Sequence, residues 1–174
     1  MPRRKPATPP PAAASPRVFP VYLELEIAGG SKRALAQALD RDGCYVGPCA
    51  QEMIAQSGFA SAEGSRPIKL ARAQLRTFGL THWVGWSDVI KAAAKAGAER
   101  LPAEAAVRLR LALPEQQAGD HFWILMDPII SGNGEPYVFY LACHDDGERR
   151  LLGRYVNPGR RFFPHREIVF GLPS

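Results

Sequence analysis

The sequence predicts an α+β domain: three or four short helices over residues ~31–97 pack on a curved antiparallel β-meander over residues ~104–170, with an additional N-terminal strand. Three observations lead to this expectation. Apolar residues recur at three- and four-residue intervals through most of the first half, and at every second residue after Pro102. The turn formers Gly132, Asn133 and Gly134, then Asp145, Asp146 and Gly147, then Asn157, Pro158 and Gly159, divide the second half at hairpin spacing. A hydrophobic content of 46%, with eight Phe and three Trp in 174 residues, supplies one ordinary core, and no internal repeat or second linker suggests two.

Taken in order, residues 1–17 hold six prolines and four alanines, a composition that cannot bury apolar surface and favours extended polyproline conformations. They are read as a disordered basic tail, with residues 18–174 as a single domain. Val21, Leu23, Leu25 and Ile27 alternate with Tyr22, Glu24 and Glu26, a half-buried strand stopped by Gly29 and Gly30. Ser31 caps a helix carrying Leu35 and Leu39 that ends at Asp42 and Gly43. Gly47 and Pro48 start a second helix, with Met53 and Ile54 inward, running to Gly58. Pro67 opens a third, whose Ile68, Ala71, Leu75 and Phe78 are spaced three, four and three, closed by Gly79. Ser87 caps a fourth with Val89, Ile90, Ala93 and Ala94, ending at Gly97.

Beyond Pro102, Val107, Leu109, Leu111 and Leu113 face one way and Arg108 and Arg110 the other, as in a strand. The segments 121–130 and 137–144 are apolar on both faces, as central strands are, and 149–156 and 161–170 complete a five-stranded antiparallel meander. If the first strand lies beside residues 105–113, Glu24 and Glu26 pair with Arg108 and Arg110 across the outer face.

A net charge of +5 invites a nucleic-acid partner, but its location matters more than its sum. Arg3, Arg4, Lys5 and Arg17 lie in the tail, where there is no acid, leaving 18 basic residues against 17 acidic in the remainder. A nearly neutral fold argues against a domain-wide basic footprint and shifts attention to local clusters, with the tail as a loose basic arm or a solubilising segment. No apolar run reaches the ~18 residues of a membrane span, and Arg3 to Lys5 lead into Pro and Ala instead of a signal-peptide core, so a cytoplasmic protein without a membrane partner is expected. Three cysteines make a poor disulfide framework and are read as free thiols.

Four groups of residues could carry chemistry. Cys49, second in a helix opened by Pro48, occupies a place where the helix dipole favours a thiolate, with Cys44 as a possible resolving partner; buried packing is the competing role. No metal is expected, because the gap from Cys44 to Cys49 exceeds zinc-ligand spacing and Cys143 and His144 are far along the chain. His121, Asp127, His144 and Asp145 lie at or near strand ends, where general acids and bases face pockets and where ordinary turn residues also sit. Lys69, Arg72 and Arg76 form, with Arg66, a basic stripe with no acid between Arg66 and Ser87. Arg149, Arg150, Arg154, Arg160, Arg161 and Arg166 face only Glu148 and Glu167 and interleave with Tyr155, Phe162 and Phe163. A solvated face is the ordinary role of such stripes.

His82, Trp83 and Trp86 precede the fourth helix, as a plug at the sheet's open end or as an interface anchor. Gly29, Gly30, Ser31 and Lys32 lack the spacing of a phosphate loop, so no nucleotide cofactor is expected. The leading expectation is a non-enzymatic binding or adaptor domain that engages nucleic acid or an acidic protein through the two arginine-rich surfaces. The alternatives are a small enzyme or ligand-binding protein, with a pocket between sheet and helices using Cys49, His121, Asp127 or His144, and an oligomerising protein.

Overall fold

The computed structural model describes residues 17–59, 61 and 64–174. The expected disordered tail lies, apart from Arg17, outside the described residues. Four α-helices and an eight-stranded mixed sheet make the chain an α+β protein.

In chain order the elements are β1 (Leu23–Ile27), α1 (Lys32–Arg41), β2 (Tyr45–Val46), α2 (Pro48–Ala55), β3 (Arg66–Gln74), a 3-10 turn (Leu75–Phe78), α3 (Trp86–Lys95), α4 (Ala103–Ala112), β4 (His121–Ile124), β5 (Ile129–Ile130), β6 (Pro136–Cys143), β7 (Arg149–Tyr155) and β8 (Glu167–Gly171). The strand order is β1-β3-β8-β4-β6-β7-β2, with β5 paired to β6. The β4–β8 and β2–β7 pairs are parallel and the rest antiparallel.

Register decides which side chains share a face, because strand neighbours alternate between faces. Leu25 opposes Ile68, Arg72 opposes Val169, Ile124 lies beside Val169, and Phe122, Leu141 and Leu151 align across β4, β6 and β7. This face meets α1, α2 and α4 and holds the fully buried Phe122, Phe139, Leu141 and Leu151. The opposite face carries Ala71, Phe170, Ile168, Trp123, Tyr140, Leu152 and Arg154. Its β3–β8 end is closed by Phe19 and Phe78, whose rings lie 4.9 and 5.4 Å from that of Phe170, and by Trp86 of α3, 6.1 Å from Trp123. Among the described residues no helix packs over its β4–β6–β7 end, and there His121 and Arg154 are exposed and Tyr140 and Leu152 half-buried.

Much of the local reading matches. Ser31 caps α1 through a side-chain bond from the Ala34 N–H, and Gly47 with Pro48 begins α2. β1 alternates, with Leu25 and Ile27 inward and Glu24 and Glu26 exposed. The turns at 132–134 and 145–147 join β5 to β6 and β6 to β7 as hairpins. Lys32, in the sequence stretch resembling a phosphate loop, instead donates to the terminal carbonyls of α2, Ala55 (3.3 Å) and Gln56. α3 begins at Trp86, with Gly85 as its cap and the Asp88 carboxylate accepting from the Gly85 N–H at 3.2 Å, so Ser87 is not the cap.

Three expectations are corrected. The helix expected from Pro67 is the strand β3: flanked by β1 and β8, it is covered on both faces at Leu70 and Ala71, and a strand apolar on both faces shows no clean period of two. The strand expected over 105–113 is the helix α4, made of the strong helix formers Ala, Leu, Arg and Glu apart from Val107. Even Glu104 and Arg110 are 0% exposed there, so burial all round erases the amphipathic stripe. Glu24 therefore approaches Lys69 of β3 at 3.9 Å, while Arg108 pairs with Glu104 at 2.7 Å within α4. The sheet is mixed and not a meander, because β8 passes over to lie between β3 and β4, parallel to β4.

Candidate functional site

The uncovered end of the sheet gathers arginines and rings in register. Trp123, Tyr140 and Leu152 are direct neighbours across β4, β6 and β7, His121 and Arg150 flank Ala142, and Arg154 lies beside Val138. The segment between β7 and β8 folds back over these strands, held by the two-way backbone pairing of Phe162 with Val84. It brings Arg160 over the Trp123 ring at 5.2 Å and over Phe162 at 5.9 Å, and Arg166 over Phe163 at 5.9 Å. Arg154 lies over Tyr140 at 5.2 Å. Each contact has cation–π geometry, which holds a guanidinium without neutralising it.

Two adjoining hollows result. One of about 280 Å³ lies among Trp123, Tyr140, Arg154, Arg160, Arg161, Phe162, Phe163 and Arg166. The other, about 240 Å³, shares Tyr140 and Arg154 and extends past His121 to His144 and Asp145. Among the described residues no carboxylate is ion-paired with Arg154, Arg160, Arg161 or Arg166. The electrostatics register this. Burial, then the neighbouring charges of Arg154 and Arg166, push the Arg160 guanidinium below its ordinary value. Burial holds the Tyr140 hydroxyl above its usual value against the opposing pull of the three arginines. Beneath Arg160, the Trp123 indole N–H is buried with no hydrogen-bond partner among the described residues, a donor that costs stability while unsatisfied.

Most of the remaining basic residues of the two sequence clusters have partners. Arg149 holds Asp42, its Nη2 donating to the Asp42 carbonyl at 2.8 Å, and Arg150 donates to Glu148 at 2.5 Å while covering Tyr45. Arg72, on the helix-covered face, donates to Asp120 at 2.5 and 3.0 Å and to Glu167 at 2.6 Å, over the Phe122 ring at 4.6 Å. Burial alone would lower the Arg72 guanidinium, and those hydrogen bonds reverse it, raising it above its ordinary value. Lys69 lies by Glu24 on the far edge. Arg76 donates its side chain to Gln74, and its backbone N–H to Pro164 at 2.8 Å places it against the folded-back segment. The two clusters thus approach one another at Arg76.

The four candidate chemical residues are not assembled. His121 and His144 border the second hollow, with His121 Nε2 3.3 Å from Arg166. Cys49 is on the opposite face, packed against Gly153, and Asp127 is exposed in a pair with Arg100 at 2.8 Å. Cys44, Cys49 and Cys143 are all free thiols, and among the described residues no cluster of His, Cys, Asp or Glu has the makings of a metal site. Of the two tryptophans at the start of α3, Trp86, its first residue, is the plug at 3% exposure, while Trp83, in the preceding loop, is 59% exposed. Sequence reasoning missed Trp123 and Tyr140. The available signal was their place, with His121, at alternate positions of central strands, which brings them to one face.

Comparison of the chain with protein-family models, curated proteins and solved structures finds no match.

Proposed function

We propose that this chain is a non-enzymatic binding domain that holds nucleic acid on the arginine and aromatic face of β4, β6 and β7. The observation that carries the reading is the gathering of Arg154, Arg160 and Arg166 around Tyr140, with no carboxylate paired to any of them among the described residues. Guanidiniums held together without counter-charge repel, and phosphate oxygens relieve that repulsion while accepting their forked N–H groups. The half-buried rings of Tyr140 and Phe163 beside them suit sugars and bases, which an acidic protein does not offer.

The test is a salt titration with a labelled oligonucleotide. Engagement of Arg154, Arg160 and Arg166, with Arg161 of the same hollow, gives a log–log slope of about −2.8 on a single strand, a roughly 50-fold loss of affinity between about 50 and 200 mM salt. Polyglutamate of the same charge is the control. Binding of polyglutamate alone makes the partner an acidic protein, and binding of neither at low salt overturns the reading.

A further inference from the structure

The most exposed tryptophan, tyrosine or phenylalanine ring among the described residues sits at the rim of this face. Trp83 is 59% exposed, whereas Trp86 and Trp123 are 3% and 4%. It is also fixed: the antiparallel bridge of Val84 to Phe162 sets Trp83 opposite Phe163, and their ring centroids are 4.6 Å apart. Phe163 in turn lies 5.5 Å from His165 and beneath Arg166. Gly85, two residues beyond Trp83, borders Arg161: an added Cβ would lie in ordinary contact with its Nη1, at 3.6 Å. An indole more than half exposed, resting on Phe163 close to where Arg161 and Arg166 lie, adds little to the core and offers π-surface next to a site for phosphate.

We infer that the ligand is single-stranded, with one base stacked on the Trp83 indole while its phosphate sits among Arg160, Arg161 and Arg166. The inference rests on the nucleic-acid reading above and adds strandedness to it. Bases inside a duplex are already stacked on both sides and have no face to give, whereas an unpaired base does. The indole accepts any base, so the site discriminates by strandedness more than by sequence.

The experiment compares wild type, Trp83→Ala and Trp83→Phe in binding a twelve-residue oligothymidylate, a duplex of the same length and inorganic polyphosphate. Because Trp83 is on the surface, the alanine variant is expected to fold, and far-ultraviolet circular dichroism checks it. Trp83→Ala is expected to weaken oligothymidylate about 5- to 150-fold, with Trp83→Phe restoring most of the loss and polyphosphate unaffected by either. Unchanged oligothymidylate binding in Trp83→Ala, or duplex bound as tightly as single strand, overturns the inference while leaving the arginine face as a polyanion site. If wild type binds none of the three at low salt, the underlying reading fails and the inference with it.

Discussion

Replacing Arg160 by glutamine separates a binding arginine from a structural one. The side chain lies 5.2 Å over Trp123 and 5.9 Å over Phe162, has no ion-paired carboxylate among the described residues, and is depressed by burial and by Arg154 and Arg166. Its removal loses a cation–π contact of about 0.5–1 kcal/mol. It also removes repulsion with two like charges, an opposite contribution, so folding stability is expected to change by less than about 1 kcal/mol. Binding responds differently. One phosphate contact fewer takes the salt slope from about −2.8 to about −2.1, so the affinity loss between about 50 and 200 mM salt shrinks from roughly 50-fold to roughly 20-fold. Urea denaturation and fluorescence anisotropy give the two numbers. A variant that is destabilised by several kcal/mol and binds with an unchanged slope would refute the assignment, because Arg160 would then be holding the fold and not the ligand.

Arg72→Ala should show the reverse: it strands Asp120 and Glu167, each partly buried, and is expected to cost about 2 kcal/mol in urea denaturation while leaving the salt slope unchanged. The same clamp sets an acid limit. Burial tends to raise the Asp120 carboxyl, but hydrogen bonds from Arg72 and Gln116 hold it below its ordinary value. A folded-state value below the unfolded one stabilises the fold above the ordinary carboxylate range and is lost as pH falls through the lowered value. Asp120→Asn should therefore flatten the acid side of a stability–pH profile, and an unchanged profile counts against the clamp. Gly153→Ala would put a methyl 2.9 Å from the Cys49 Cβ and 2.7 Å from the Met53 sulfur, and thermal unfolding should show a loss of about 1–3 kcal/mol from overpacking α2 on β7.

What could be read from the sequence was local. β1 declares itself because one face is buried and the other wet, and the hairpins at 132–134 and 145–147 because Gly, Asn and Asp carry the turn. β3 and α4 were hidden by the same physics: an element buried on most sides loses the alternation of environment that patterns depend on, leaving composition as the only clue. The passage of β8 to a place between β3 and β4 is set by long-range pairing, which the turn at Asn157, Pro158 and Gly159 does not encode. The site was legible in the same partial way. The C-terminal arginine cluster could be seen along the chain, but which of its members are free depends on partners far away, such as Asp42 for Arg149, 107 residues distant. Arg72 similarly appears as a free cation until the fold brings it Asp120 and Glu167, 48 and 95 residues on. What distinguishes the candidate face is therefore the gathering of Arg154, Arg160 and Arg166, without carboxylates, around shared rings, and that gathering exists only in three dimensions.

The central claim is that an anionic ligand settles on the β4–β6–β7 face. Nuclear magnetic resonance of the isotope-labelled chain, titrated with a short oligothymidylate, tests it most directly, by following arginine Nε–H and tryptophan indole N–H signals. The account predicts that Arg154, Arg160, Arg166 and the orphaned indole of Trp123 shift together at low salt while Arg72 and Arg149 stay in place. Shifts confined to Arg66 at the far edge, or none at all, would contradict it.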